Sequence, residues 1–268
     1  MRILLVTDSH LAAHAEACNA NWRAVRDYAG RIGADLTVHL GDITVSGAHD
    51  AEHLRFARAL CEDWPTPIRF LPGNHDIGDN PPGPDVPSNE PLDLGRLDEY
   101  RAIFGPDHWS MPTEGGRLVA LNAQLFGTGT PAEAVQWDWL TRELDPRQPI
   151  VLLLHKPLFQ VSPDDVKPHI RYVPLAERRR LLQLLGRTEL RIVLSGHTHQ
   201  LLDRTVAGWR HAWLPSCSFF IPDSKQERIG RKMVGLGMLE LTPELCRLHI
   251  VAPDGMAQHD LADLPPLY

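Results

Sequence analysis

Five short segments of the sequence carry side chains that bind transition metals, and each segment follows an apolar run. They are Asp8-Ser9-His10, Gly41-Asp42, Gly73-Asn74-His75-Asp76, His155 and Gly196-His197-Thr198-His199. Their carboxylate, amide and imidazole groups are ligands of borderline hardness, which suit Mn, Fe or Zn and not Ca. Counting these ligands predicts two sites with three to four protein ligands each and room for water, as in catalytic metal centres.

The spacing within two of these segments predicts how their side chains are arranged. Asp8 and His10 are two residues apart, as are His197 and His199. Since side chains alternate along a strand, each pair is expected on one side of an extended segment. A carboxylate such as that of Asp42 can bridge two cations. The glycines that precede three of the motifs are expected where a strand turns sharply or two backbones approach closely.

Apolar runs of strand length alternate with amphipathic stretches, which predicts an α/β fold. Strands are predicted at 3–7, 36–40, 68–71, 117–121, 150–154, 191–194, 210–214, 236–241 and 246–251, and helices at 15–32, 51–62, 96–104, 133–144 and 175–185. In such a sheet, loops at the carboxyl ends of the strands converge on one crevice. The five motifs are therefore expected to face one another.

Two helices carry more detailed predictions. In the helix at 133–144, Val135, Trp139 and Leu140 are expected on one face, and Trp137 and Trp139 are expected to pack in the core. The run 178–180, three consecutive arginines, is expected on a solvated helix face.

A proline-rich segment interrupts the alternation at residues 77–93. Its five prolines, Pro81, Pro82, Pro84, Pro87 and Pro91, exclude a regular helix or strand. Loops of this length are usually functional or mobile insertions. Because the segment is too short to separate two domains, one domain is predicted over residues 1–268.

Composition excludes several classes of protein. The chain has 268 residues and a net charge of −7, so that no basic surface for nucleic acid is expected. Its four cysteines lie far apart, which is not the spacing of a zinc knuckle or a disulfide framework. No apolar run approaches the roughly 18 residues of a membrane span. Because the first residues read as a strand and not as a signal peptide, a cytoplasmic location is expected.

The ordered set D-x-H, GD, GNH[D/E], H and GHxH resembles the signature of the calcineurin-like metallophosphoesterase superfamily. The length and compactness resemble the bacterial class III cyclic-nucleotide phosphodiesterases within it. The motifs extend from Asp8 to His199 and are intact and in order. The resemblance implies two packed mixed β-sheets flanked by helices, a four-layer α/β/β/α sandwich.

The resemblance also implies a role for each motif residue. Two metal ions are implied, drawn from Mn, Fe, Zn and Co, with Mn or Fe favoured. The implied ligands are Asp8, His10 and His199 for the first ion and Asn74, His155 and His197 for the second, with Asp42 bridging both. His75 would be the catalytic residue, protonating the leaving group, and Asp76 would orient it.

The activity implied by the resemblance is phosphodiester hydrolysis by attack of a metal-bridging hydroxide. The substrate would be a cyclic nucleotide such as 3′,5′-cyclic AMP or another small phosphodiester. Nucleotide pyrophosphatase and phosphomonoesterase activities of the same superfamily remain alternatives, and so does a non-catalytic metal-binding scaffold. Since related enzymes often form dimers, a homodimer is a further expectation.

Overall fold

The computed structural model describes residues 1–84 and 86–267, which form two large β-sheets and the helices that cover them. The strands are β1 (Arg2–Val6), β2 (Leu36–His39), β3 (Ile68–Phe70), β4 (Trp109–Thr113), β5 (Gly116–Leu121), β6 (Ile150–Leu154), β7 (Leu190–Ser195), β8 (Gln200–Val206), β9 (Trp209–Trp213), β10 (Phe219–Phe220), β11 (Arg231–Lys232), β12 (Leu236–Leu241), β13 (Cys246–Val251) and β14 (His259–Asp260). The helices are α1 (Glu16–Ile32), α2 (Ala51–Ala59), α3 (Asn74–Ile77), α4 (Leu94–Phe104), α5 (Pro131–Glu143) and α6 (Leu175–Leu185). Two 3₁₀ turns lie at Ala123–Leu125 and Leu261–Asp263.

The first sheet has the strand order β13-β12-β1-β2-β3. Strands β1, β2 and β3 are parallel to one another. β12 pairs with β1 in antiparallel orientation, and β13 pairs with β12 in the same way. Alternate residues of β1 pack in different hydrophobic cores. Ile3 and Leu5 face the second sheet, whereas Leu4 and Val6 pack in the core under α1, α2 and α4. Because both faces are buried, β1 is apolar from Ile3 to Val6.

The second sheet has the order β11-β8-β9-β7-β6-β5-β4. β6 is parallel to both of its neighbours, β5 and β7, and β7 is also parallel to β9. In β6, Val151 and Leu153 face the first sheet, whereas Ile150, Leu152 and Leu154 pack against α5 and α6. The two sheets thus share one apolar layer, and each carries helices on its other face. The prediction of two packed mixed sheets flanked by helices is confirmed.

Several local predictions were wrong. Val135 does not share the buried face of α5, since it is 57% exposed, whereas Trp137 is buried. Arg178 is 3% exposed and not solvated. The strands β4 and β8 were not predicted, because their side chains alternate between partial burial and exposure and include few strongly apolar residues.

The proline-rich segment lies between α3, which ends at Ile77, and α4, which begins at Leu94. Its described residues, 78–84 and 86–93, contain only isolated β-bridges. Asp79 joins the two ends of this segment, because the N–H of Asp79 donates to Glu90 O (2.6 Å) and the carbonyl of Asp79 accepts from Leu92 N (2.9 Å). Among the described residues, no helix is both long enough and apolar enough to cross a membrane.

Candidate metal centre

Each of the five motifs follows a parallel strand at its carboxyl end. Asp8 follows β1, Asp42 follows β2, Asn74 follows β3, His155 follows β6 and His197 follows β7. Parallel strands deliver such residues to the same edge of a sheet. Because the two sheets pack face to face, the motifs of both sheets meet at this edge.

The first group of possible ligands contains Asp8, His10 and His199, all buried. Their ligand atoms lie within 4.8 Å of one another. His199 Nε2 lies 3.2 Å from His10 Nε2 and 3.3 Å from Asp8 Oδ1. The three atoms therefore converge on one point, as metal ligands do.

The second group contains Asp42, His155 and His197, with the same limit of 4.8 Å between ligand atoms. His155 Nε2 lies 3.2 Å from Asp42 Oδ2 and 3.1 Å from His197 Nδ1. The two groups are in contact, since the backbone N–H of His197 donates to Asp8 Oδ2 (3.0 Å). The structure therefore brings six of the seven predicted ligands into two adjacent three-residue groups.

Main-chain carbonyls fix the orientation of the histidine rings. His155 Nδ1 lies 2.9 Å from Leu40 O, and His199 Nδ1 lies 2.7 Å from Phe219 O. A carbonyl only accepts, so Nδ1 carries the proton in each ring and Nε2 points into the centre. This arrangement, in which a backbone partner holds the ring nitrogen that does not bind, is typical of metal-binding histidines.

Five of the residues hold left-handed backbone conformations. Their φ values are 55° for Asp8, 46° for His10, 52° for Asp42, 67° for His197 and 52° for His199. The prediction that the D-x-H and H-x-H pairs share one side of an extended segment was therefore wrong. β1 ends at Val6, and tight turns bring the side chains of each pair to the same centre. Such strained conformations persist where surrounding contacts hold them, and they concentrate at functional sites.

The serines of the segment after β9 help to hold this strained backbone. Ser216 Oγ and Ser218 Oγ both donate to Asp8 O, at 2.9 and 2.6 Å. The neighbouring Phe219 is buried, and its ring centroid lies 4.7 Å from that of His199. No motif of the sequence marked the two serines as supports of Asp8.

Gly73 is required by close approach and not by its φ angle. A Cβ at Gly73 would lie 2.1 Å from Asp42 Oδ1 and 2.3 Å from Asp42 N. At Gly196, likewise, a Cβ would lie 1.9 Å from Thr7 Oγ1. At these two positions any side chain would therefore displace the loop that carries a carboxylate of the centre.

We expect Gly73→Ala to bind fewer than two metal ions per chain and to lower the free energy of unfolding by about 1–3 kcal/mol, because the added methyl displaces Asp42. Metal analysis of the purified protein and thermal unfolding measure both effects. The matched control is Gly30→Ala in α1, where the nearest atom to the added Cβ is 3.7 Å away. If Gly73→Ala keeps two ions and the wild-type Tm, the close approach has no functional importance.

Burial and charge set the protonation of the centre. Burial opposes ionisation of Asp8 and Asp42, but the imidazoles beside them outweigh it and hold both pKa values below the usual range. Burial disfavours a charged His155, yet the Asp42 carboxylate raises its pKa to about 9. Burial keeps the pKa values of His10 and His197 well below normal. Neutral imidazoles and ionised carboxylates are the forms that bind metal, so His155 would have to release its proton when an ion binds.

Two buried polar atoms test whether the residues fit metal ions. Asp8 Oδ1 and Asn74 Oδ1 are buried without a hydrogen-bond partner. An unpaired buried polar group costs about 1–3 kcal/mol, a cost that coordination to a cation removes. Together with the carboxylates and imidazoles, these atoms form a donor set suited to transition metals. The residues fit the metal pair.

Asp76 connects two of the loops. Its carboxylate accepts hydrogen bonds from Gly73 N (2.8 Å), Thr44 N (3.0 Å) and Thr44 Oγ1 (2.9 Å). It therefore joins the turn that carries His75 to the loop after β2. His39, which the sequence analysis did not assign to the site, is buried and lies 2.8 Å from Ser9 Oγ, outside both ligand groups.

His75 lies beside the two groups with its ring partly buried. Its backbone N–H donates to Asp42 Oδ1 (2.9 Å), and its Nδ1 lies 2.9 Å from Val45 O. Its ring centroid is 4.9 Å from that of His10. It also lines a cavity of about 300 Å³ with Val45, Ser46, Ala48, His49 and Glu90. His75 is thus placed between the metal ligands and a small polar cavity.

Comparison with known proteins supports this description. The zebrafish (Danio rerio) serine/threonine-protein phosphatase CPPED1 is 28% identical over 50% of this chain, which spans only 42% of that protein. A protein from Psychrobacter arcticus named probable cyclic nucleotide phosphodiesterase is 24% identical over 75% of this chain and 74% of its own length. A dimetal phosphatase structure from Danio rerio has the same fold, with a TM-score of 0.63, 13% identity and coverage of 93% and 95% of the two chains.

The calcineurin-like phosphoesterase family matches residues 1–201. This match covers about three quarters of the chain and includes every motif residue described above. The chain therefore belongs to the calcineurin-like phosphoesterase family.

Proposed function

We propose that this protein hydrolyses small phosphodiesters with the help of two transition-metal ions. The observation that carries the proposal is the pair of adjacent three-residue ligand groups at the common edge of the two sheets. A second observation is His75, which lies beside these groups and also lines a separate polar cavity. This combination supplies both the electrostatic and the proton-transfer requirements of phosphoryl transfer.

The first ion would be held by Asp8, His10 and His199, and the second by His155 and His197 with Asn74. Asp42 would bridge the two. When bound, such a pair of ions stabilises negative charge on phosphoryl oxygens and lowers the pKa of water. Mn or Fe are the ions proposed, because the donor set combines hard carboxylates with imidazoles.

His75 is proposed as the general acid. Its Nδ1 faces Val45 O, which only accepts, so Nδ1 holds one proton and Nε2 is the nitrogen that can exchange another. From Nε2 a proton can pass to the leaving oxygen in the small polar cavity. Asp76 is proposed to position His75 through the backbone, since its carboxylate ties Gly73 to Thr44.

The finer substrate proposal is a cyclic nucleotide such as 3′,5′-cyclic AMP. It is supported by the relative from Psychrobacter arcticus, which matches about three quarters of each chain. A diester is preferred to a monoester because a diester has a second substituent, and a second cavity, walled in part by the proline-rich segment, can receive it.

The test uses protein stripped with a chelator and reloaded with Mn. We expect bis-p-nitrophenyl phosphate to be cleaved with a kcat/KM about tenfold higher than p-nitrophenyl phosphate, since a diester fills both cavities. Turnover of 3′,5′-cyclic AMP in parallel tests the finer proposal. Faster cleavage of the monoester would make the protein a phosphomonoesterase. Two bound metal ions without cleavage of any ester would favour the non-catalytic scaffold.

A further inference from the structure

A cavity of about 660 Å³ lies between the proline-rich loop, residues 160–168 and the start of α6. We call it the side cavity. Its volume is within the range of cavities that bind small organic molecules, about 300–1,000 Å³. None of the predicted metal ligands or His75 lines it. It therefore offers room for a part of a substrate away from the reacting phosphorus.

Exposed apolar side chains concentrate on the segments that form the side cavity. In the described part of the chain six large apolar side chains are exposed: Val86, Leu94, Val135, Val161, Val166 and Ile170. Four of these six lie on the proline-rich loop or between residues 161 and 170. Val161 and Val166 line the cavity itself and are 64% and 73% exposed. Such a concentration of exposed apolar surface marks a binding site.

Hydrogen bonds fix the wall that carries these valines. The carboxylate of Asp165 accepts from Val161 N (2.9 Å) and Ser162 N (3.2 Å), which closes a turn. Arg178, buried at the start of α6, donates to Leu158 O (3.1 Å) and to Asp165 O. Since both ends of the turn are held, the side cavity is formed before any ligand binds. This explains why Arg178 is buried within an arginine run.

Lys156 connects the side cavity to the metal centre. It follows His155 directly, is fully buried, and its Nζ lies 2.5 Å from Asp79 Oδ1 and 2.7 Å from Asn80 Oδ1. Asp79 and Asn80 begin the proline-rich loop, whose residues 82–84 line the cavity. The ion pair therefore fixes one cavity wall to a metal-ligand loop.

A second connection runs through Gln226. Its Nε2 donates to Thr198 O (3.0 Å), between the two histidines of the last motif. The next residue, Glu227, lines the side cavity and lies 3.2 Å from Gln160 Nε2. Walls of the side cavity are thus connected to two loops of metal ligands, through Lys156 and Gln226, whereas His75 lines the small polar cavity.

We propose that the side cavity binds an aliphatic arm of the phosphodiester, the arm that stays on phosphorus while the leaving alcohol faces His75. This proposal rests on the proposed hydrolysis of small phosphodiesters, and it adds acyclic diesters with an aliphatic arm as a substrate class beside the cyclic nucleotide. Val161, Val166 and several prolines give the lining an aliphatic part, beside charged residues such as Asp165 and Lys167. A nucleobase binds best on an exposed aromatic face, but Tyr172 is only 6% exposed, with its ring packed against His169 and Trp213.

The test compares three esters with the same leaving group on the Mn-loaded protein. They are p-nitrophenyl ethyl phosphate, p-nitrophenyl octyl phosphate, kept below its micellar concentration, and p-nitrophenyl thymidine 5′-phosphate. We expect kcat/KM for the octyl ester to exceed that for the ethyl ester at least about tenfold, mainly through a lower KM, because burial of about two of its six further methylenes already gives a factor of this size.

The variants Val166→Asp and Val161→Asp place a carboxylate in the side cavity. We expect each to reduce the octyl-to-ethyl ratio of kcat/KM from about ten or more to about one. Both side chains are exposed, so folding is preserved, which circular dichroism checks. The matched control is Val135→Asp, an equally exposed valine on α5, which keeps both the ratio and the activity of the wild type.

Each other outcome overturns the proposal in a distinguishable way. Equal kcat/KM values for the ethyl and octyl esters overturn the aliphatic arm while leaving the proposed function intact. A higher kcat/KM for the thymidine ester, lost in Val166→Asp, assigns the cavity to a nucleoside instead. If no ester is cleaved, the proposed function fails and the substrate arm fails with it.

Discussion

We expect Asp42→Ala to lose at least one of the two metal ions and to lower kcat/KM for bis-p-nitrophenyl phosphate by about a thousandfold or more. The metal pair would stabilise charge on the phosphoryl oxygens and lower the pKa of water, and both effects depend on the bridging carboxylate of Asp42. Asp42 is 2% exposed, and its Oδ2 lies 3.2 Å from His155 Nε2. Its Oδ1 accepts the backbone N–H of His75 at 2.9 Å. One carboxylate therefore contacts a metal ligand and also fixes the residue proposed as the acid.

The measurement is the ratio of metal to protein after reloading with Mn, together with kcat/KM. Asp42→Asn is a second variant that keeps the shape of the side chain and removes its charge, so that loss of metal can be separated from loss of folding. Asp138→Ala, on the exposed side of α5, is the control and retains both ions. Two fully occupied metal sites in Asp42→Ala would contradict the bridging role.

The elements that position the centre were predictable because their burial is regular. The strand at 150–154 and the helix at 175–185 were predicted with the bounds that the structure has. β6 is buried on both faces and therefore reads as a continuous apolar run. The strands β4, at one edge of the second sheet, and β8, next to the short strand at the other edge, bury only part of one face, and their mixed sequences give no such signal.

The ligand pairs were brought together for a reason that the sequence could not supply. Alternation along a strand predicted that Asp8 lies near His10, but both residues have positive φ. Asp and His tolerate this conformation better than most residues do. The contacts that stabilise it come from Ser216 and Ser218, more than 200 residues away. Only the folded chain reveals this support.

The side cavity also depends on distant pairings. Lys156 and Asn80 are 76 residues apart, and Gln226 lies 28 residues from Thr198. A lysine beside a motif histidine has no distinctive sequence pattern. A run of arginines predicts solvent exposure, and only the structure shows that Arg178 donates to Leu158 O. Motifs locate the reacting centre, whereas the walls that select a substrate follow from tertiary contacts.

His75→Ala keeps both metal ions and lowers kcat by about 100- to 10,000-fold, the usual contribution of a general acid. Its imidazole belongs to neither ligand group. The loss depends on the leaving group, because a nitrophenolate leaves readily without a proton and an alkoxide does not. We therefore expect a loss at least about tenfold larger with 3′,5′-cyclic AMP than with bis-p-nitrophenyl phosphate.

The comparison of the two substrates distinguishes proton donation from a purely structural role. A displaced loop or a weakened metal site would slow both substrates alike, since both need the same cations. Only the missing acid slows the alkoxide more than the nitrophenolate. His249→Ala, at a half-exposed position on β13, is the control and leaves both rates unchanged. Equal losses on the two substrates, or a fall in metal content, would remove His75 from the role of acid and leave its ring as a structural support beside His10, whose ring centroid lies 4.9 Å away.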